Sequence, residues 1–114
     1  MDLNAWKAQL RKGAAELAVL AVLDRKESYG LELLEGIHEV GGLELSEGSI
    51  YPLLSRLQKE GKIRGRWVED PDATHPRKYY RLTAAGRALL TEMLAEWALF
   101  ESGMRQIIGE EIRR

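Results

Sequence analysis

Residues 46–61, SEGSIYPLLSRLQKEG, form a pattern suited to a short helix that keeps one face dry and offers the other. On a wheel of about 100° per residue, Leu53, Leu54 and Leu57 cluster around Ile50, while Gly48, Pro52, Ser55, Arg56 and Lys59 fall opposite, with Tyr51 on the boundary. The offered side is small, hydroxylic and cationic, which allows close approach to a polyanion. After Gly61, a helix stop, come two runs of strand character, Ile63 to Val68 and Lys78 to Leu82, separated by a turn containing proline. Helix, hairpin, then helix is the order of a winged helix-turn-helix, in which the helix enters the DNA major groove and the hairpin reaches for the flanking backbone.

A chain of 114 residues favours one domain around a single core. Hydrophobic residues at 45% and charged residues at 31% describe a globular, soluble composition. The absence of cysteine excludes disulfides and Cys-based zinc sites. Trp6, Lys7, Gln9, Arg11 and Lys12 interrupt any signal peptide or membrane span near the start, so no membrane is expected and the expected location is cytoplasmic. Two isolated histidines, His38 and His75, do not make a metal site. No nucleophile with a neighbouring base and no phosphate loop is present, so the reading is of a protein without enzymatic activity or cofactor.

The formal net charge of −1 hides an asymmetry. Glu27, Glu32, Glu35, Glu39 and Glu44 make 27–45 acidic with no Lys or Arg among them. Arg56, Lys59, Lys62, Arg64, Arg66, Arg77, Lys78, Arg81 and Arg87 place the positive field on the proposed reading helix and hairpin.

The first helix is expected from an Asn4 cap to about Leu23, apolar nearly all round from Leu17 onward. Before that, Leu3, Trp6 and Leu10 form a narrower stripe suited to a neighbouring chain. Ser28 is the expected cap of a second helix that ends near Val40, with Leu31, Leu34 and Ile37, joined by Leu33, as its core-facing set and Gly41 and Gly42 stopping it. Leu43 to Leu45 is the expected third strand beside the hairpin. Pro52 argues for starting the regular third helix at Ser49, where the missing N–H costs little. In the hairpin one face carries Ile63, Gly65 and Trp67, the other Arg64 and Arg66, and His75, Arg77 and Lys78 are the wing's candidate phosphate contacts. Thr83 caps a last helix whose stripe, Leu90, Met93, Leu94, Trp97, Met104 and Ile108 with Phe100 at its edge, outruns one small domain and calls for a second copy of the chain.

The segments GSIYPLLSRLQKEGKI (48–63) and RKYYRLTAAGRALL (77–90), with KGAAELAVLAVLDRKESYGLELLEGI (12–37) before them, resemble the PadR family of winged-helix transcriptional regulators. The resemblance implies a mainly α fold, three helices plus a β-hairpin wing, with a long C-terminal dimerisation helix. It divides the chain into 1–83, the DNA-binding domain whose residues 1–13 also meet the partner copy, and 84–114, the dimerisation helix. It implies a homodimeric regulator of double-stranded DNA, usually a repressor, acting on an inverted repeat. Carried over by position, Ser49, Tyr51, Pro52, Ser55 and Arg56 of the third helix and Arg77 and Lys78 of the wing face DNA, with Lys59 added by its charge. Some relatives bind flat aromatic molecules at the dimer centre, and Trp6, Trp97 and Phe100 are the residues expected to line such a pocket. The competing reading is a winged-helix protein-interaction module without specific DNA binding, with the acidic second helix as its face.

Overall fold

The computed structural model describes residues 2–40, 42–72 and 74–109. Its order is α1 (Leu3–Arg25), β1 (Ser28–Tyr29), α2 (Gly30–Glu39), α3 (Glu47–Lys59), β2 (Ile63–Val68), β3 (Arg77–Leu82) and α4 (Ala84–Ile108). This is the expected winged helix-turn-helix with a long last helix.

The core is a single cluster. Val19, Leu20 and Leu23 of α1, Leu33, Leu34 and Ile37 of α2, and Ile50, Leu54 and Leu57 of α3 meet Ile63, Tyr80 and Leu82 of the hairpin, and Leu90 of α4 closes one side. At roughly 1.5 to 3 kcal/mol for each fully buried large apolar side chain, this cluster dominates the favourable side of folding.

Several local expectations are corrected. Asp2 rather than Asn4 caps α1, its carboxylate accepting from the Ala5 N–H at 2.8 Å. Ser28 is not a helix cap. It is buried in β1, where it pairs with Tyr80 while its hydroxyl donates to the Lys26 carbonyl at 3.0 Å. The third strand is therefore Ser28–Tyr29, giving the order β1-β3-β2, and not Leu43 to Leu45. Leu45 instead buries its side chain in the core, and its carbonyl accepts from His38 Nε2 at 2.9 Å, so His38 ties α2 to the following loop rather than standing free in solvent. On α2, Leu33 is buried with Leu34 and Ile37, while Leu31, expected in the same set, is half exposed. The expected stop at Gly41 lies outside the described residues.

The junction of hairpin and α4 is a mutual lock. Thr83 Oγ1 accepts from the Gly86 N–H at 3.0 Å, capping α4, and its hydroxyl donates to the Gly61 carbonyl at 2.6 Å. The Thr83 N–H donates to the Lys62 carbonyl at 3.1 Å. Gly86 is required by close approach, because a Cβ there would run into that same Lys62 carbonyl. Further along, α4 passes through Gly103 and ends at Gly109, whose φ is 74°. Residues 110–114 lie outside the described residues. No helix among the described residues is long and apolar enough to cross a membrane.

Candidate nucleic-acid interface

The α3 helix starts earlier than its proline suggests. Ser46 is the cap, its Oγ accepting from the Ser49 N–H at 3.2 Å, and helical geometry runs from Glu47 through Pro52. Proline supplies no N–H to the carbonyl of Gly48, so one helix bond is missing on the outward side, where water can satisfy the freed oxygen. Ile50, Leu54 and Leu57 are fully buried, Leu53 is half-buried, and Gly48, Ser49, Pro52, Ser55 and Lys59 are all exposed.

The two flanks of this face differ. On the hairpin side, Tyr51 is 43% exposed and lays its ring over Gly30 at the first turn of α2. On the α1 side, Arg56 is engaged by two carboxylates: Nη1 donates to both oxygens of Glu60 at 3.2 Å, and Nη2 donates to Glu16. The hydrogen bond donated to Glu16, then that donated to Glu60, raises the Arg56 pKa above its ordinary value, so the guanidinium is permanently charged. Arg56 thus sits on the flank of the exposed face, tied to the protein. Lys59 makes no ion pair among the described residues.

In the wing, Ile63 pairs with Leu82, Gly65 with Tyr80 and Trp67 with Lys78. Only the deep end of this face is core, because α3 stops covering it. Trp67 is 69% exposed, and the Lys78 ammonium lies 5.7 Å from the Trp67 ring and 5.6 Å from that of Tyr80. Burial pushes the Tyr80 phenol pKa up. Arg77 faces the other way. It bonds Asp70 Oδ2 at 3.2 Å and stacks over Tyr29 at 4.6 Å, and Tyr29 in turn meets Tyr79 edge-on. Arg66 is likewise held by Glu27 at 2.6 Å. Lys78 is therefore beside α3, whereas Arg77 is spent on bracing the wing against β1. His75 is exposed at the tip. Trp67 is hidden as a contact candidate in the sequence because its alternation places it on an apolar face, and Glu16 because its partner lies on another helix, whereas Gly30 is where the sequence allows two helices to approach closely.

The apolar stripes emerge on one side of α1 and α4. Leu3, Trp6 and Leu10 of α1 and Leu94, Trp97, Phe100, Met104 and Ile108 of α4 are exposed, and so are Leu99 and Ile107, which the expected stripe omits. Leu90 instead belongs to the chain's own core, with Met93 half-buried against it. Trp97 and Phe100 have ring centroids 5.8 Å apart, and they border a groove of about 550 Å³ closed by Leu10, Gly13, Ala14 and Leu17 of α1. Trp6 does not line it. A second hollow, of about 920 Å³, lies on the opposite side of the same α1 turns, between Arg11, Lys12 and Glu16 and the start of α3. No group of three His, Cys, Asp or Glu gathers in a metal-binding arrangement among the described residues.

Comparison with known proteins agrees with this geometry. The family described as "Transcriptional regulator PadR-like family" matches residues 19–92. A transcriptional regulator of Mycobacterium tuberculosis is 31% identical over 102 residues, covering 89% of each chain. A PadR-like transcriptional regulator from Bacillus cereus superposes with a TM-score of 0.79 at 35% identity, covering 88% of this chain and 96% of the other. A PadR family transcriptional regulator from Eggerthella lenta gives 0.80 at 30% identity, covering 93% and 91%.

Proposed function

Because this chain belongs to the PadR-like family of transcriptional regulators, and so is a DNA-binding regulator, we propose that it acts as a homodimeric repressor on an inverted-repeat operator. The observation that carries this reading is the bare outer face of α3: Gly48, Ser49, Pro52, Ser55 and Lys59 stand exposed beside Tyr51 and the Lys78 side of the wing, with none of the described residues laid over them. A face of small and hydroxylic residues backed by a rigid core can enter the major groove, where base edges carry the sequence information. Lys59 and Lys78 supply phosphate contacts, and Trp67 packs against the sugar edge beside Lys78.

The dimer reading is supported by the exposed apolar side chains that α1 and α4 share, Trp6 and Leu10 on one and Trp97, Phe100 and Ile108 on the other. A two-fold partner applied to that surface duplicates α3, and two copies spaced by roughly 34 to 36 Å read successive turns of one duplex. The groove between Trp97, Phe100 and α1 is apolar and open at this surface, so a flat aromatic effector is its natural occupant and release from DNA the consequence.

The test is selection of bound duplexes from random-sequence DNA by the full chain, followed by anisotropy titration. A palindromic consensus with two half-sites is expected. Binding that is weak, sequence-blind and unaffected by Lys59→Ala would refute the reading.

A further inference from the structure

The two cations that α3 carries are in different states. Lys59 has no ionic partner among the described residues, while the Arg56 guanidinium is held from two directions. Glu60 is its neighbour one turn along the same helix. Glu16 reaches it from α1, forty residues away in sequence, along the cleft that separates the two helices. The Glu16 side chain is 26% exposed and that of Arg56 is 50% exposed, so the pair lies at the rim of the cleft, within reach of an approaching duplex.

We propose that Glu16 is a positioning residue for Arg56: its carboxylate competes with DNA phosphate for the guanidinium, so that Arg56 stays on the protein over non-specific DNA and transfers only to a guanine edge in the operator. The inference rests on the DNA-binding reading above. Its logic is one of magnitudes. An exposed ion pair is worth a factor of about five at most. One phosphate contact changes affinity by a similar amount, roughly 3.5-fold between 50 and 200 mM salt. Exchanging Glu16 for a phosphate therefore gains little, and Arg56 stays where it is. A bidentate contact with the O6 and N7 of guanine discriminates by roughly five- to 150-fold. That is enough to draw the side chain away from Glu16. Over non-specific DNA the carboxylate thus removes one phosphate contact, and at the operator the cost of breaking the pair is subtracted from the gain at the base. Glu16 does not touch DNA in this scheme; it acts through Arg56, as a positioning residue.

The experiment titrates Glu16→Gln against a selected operator duplex and against a scrambled duplex of equal length, each over a series of salt concentrations. Non-specific affinity should rise roughly three- to fivefold, and the slope of log K against log salt on scrambled DNA should steepen by about 0.9, the value for one added phosphate contact. Operator affinity should rise by up to about fivefold, since the pair no longer has to be broken, while the operator's salt slope stays that of the parent, because Arg56 already leaves Glu16 there. In an Arg56→Ala background the same substitution should leave the slope on scrambled DNA unchanged. If Glu16→Gln lowers both affinities together with an unchanged salt slope, Glu16 is a strut between α1 and α3 and the proposal is overturned, while the function proposed for the chain stands. An unchanged slope on scrambled DNA in the single variant overturns it equally. If Arg56→Ala itself leaves operator affinity intact, Arg56 reads no base, and this inference falls while DNA binding through Lys59 and Lys78 remains measurable.

Discussion

The ring of Tyr51 occupies the space that any side chain on Gly30 would need: a Cβ built there falls 2.6 to 2.8 Å from Tyr51 Cε1, OH and Cζ. Gly30 opens α2 and Tyr51 lies on the exposed flank of α3, so this contact sets how the phenol is presented. Its ring is partly exposed and has room to swing outward. Gly30→Ala is accordingly expected to leave the melting temperature within a few degrees of the parent, since a displaced surface ring costs less than the roughly 1 to 3 kcal/mol of overpacking in a closed core. Operator affinity, measured by anisotropy, should drop by about tenfold, a loss of about 1.4 kcal/mol. In a Tyr51→Ala background, Gly30→Ala should have no further effect on affinity.

Gly86 predicts the opposite balance. Glycine to alanine inside a helix ordinarily stabilises by about 1 kcal/mol. Here the added methyl meets the Lys62 carbonyl, main chain that is itself bonded to the Thr83 N–H and cannot turn aside. Gly86→Ala should therefore destabilise by about 2 kcal/mol or more, read as a fall in the urea midpoint at unchanged slope. Thr83→Ala should cost about 1 to 2 kcal/mol through the lost cap and the lost bond to Gly61, with Thr83→Ser recovering most of it.

At the apolar surface, Trp97→Glu or Ile108→Glu places a charge where a second copy is proposed to pack. Sedimentation should shift from dimer to monomer while far-UV circular dichroism keeps its helical signal, because both side chains are exposed in the single chain. Leu90→Glu should instead unfold the domain, since Leu90 is 4% exposed.

Alkaline pH gives a further check. Burial raises the Tyr80 phenol pKa above its ordinary value near 10. The neutral phenol is thus favoured by the folded state, and the associated stability is fully present below the unfolded pKa and lost as pH rises through the folded one. Melting temperature should fall above about pH 10, and Tyr80→Phe should flatten that part of the curve.

Much of the fold is legible wherever a period runs long enough. Ile50, Leu54 and Leu57 repeat at helical spacing, and the alternation in 63–68 announces the hairpin. A strand of two residues has no period, so Ser28–Tyr29 is visible only through its pairing with Tyr79 and Tyr80. Ser28 misleads because the same residue type suits a helix cap and a buried strand edge. Leu31 and Leu33 both fit a helical stripe with Leu34 and Ile37, and the choice between them follows from Gly30 being pressed against Tyr51. Pro52 suggests a later helix start, yet the outward position of the missing bond makes it tolerable. The exposed face of α3 is legible, but the state of Arg56 and Arg77 is not, because Glu16 and Tyr29 become their neighbours only after folding.

Residues 8–17 of α1 form a partition one helix thick, with the aromatic groove on one side and the cleft beneath α3 on the other, and Gly13 and Met93 border both hollows. A helix cannot be thickened on one side and stay still on the other. Substitutions that reshape the groove for a new small molecule will therefore tilt or slide the surface against which α3 rests, and drift in effector choice will carry drift in operator grip along with it.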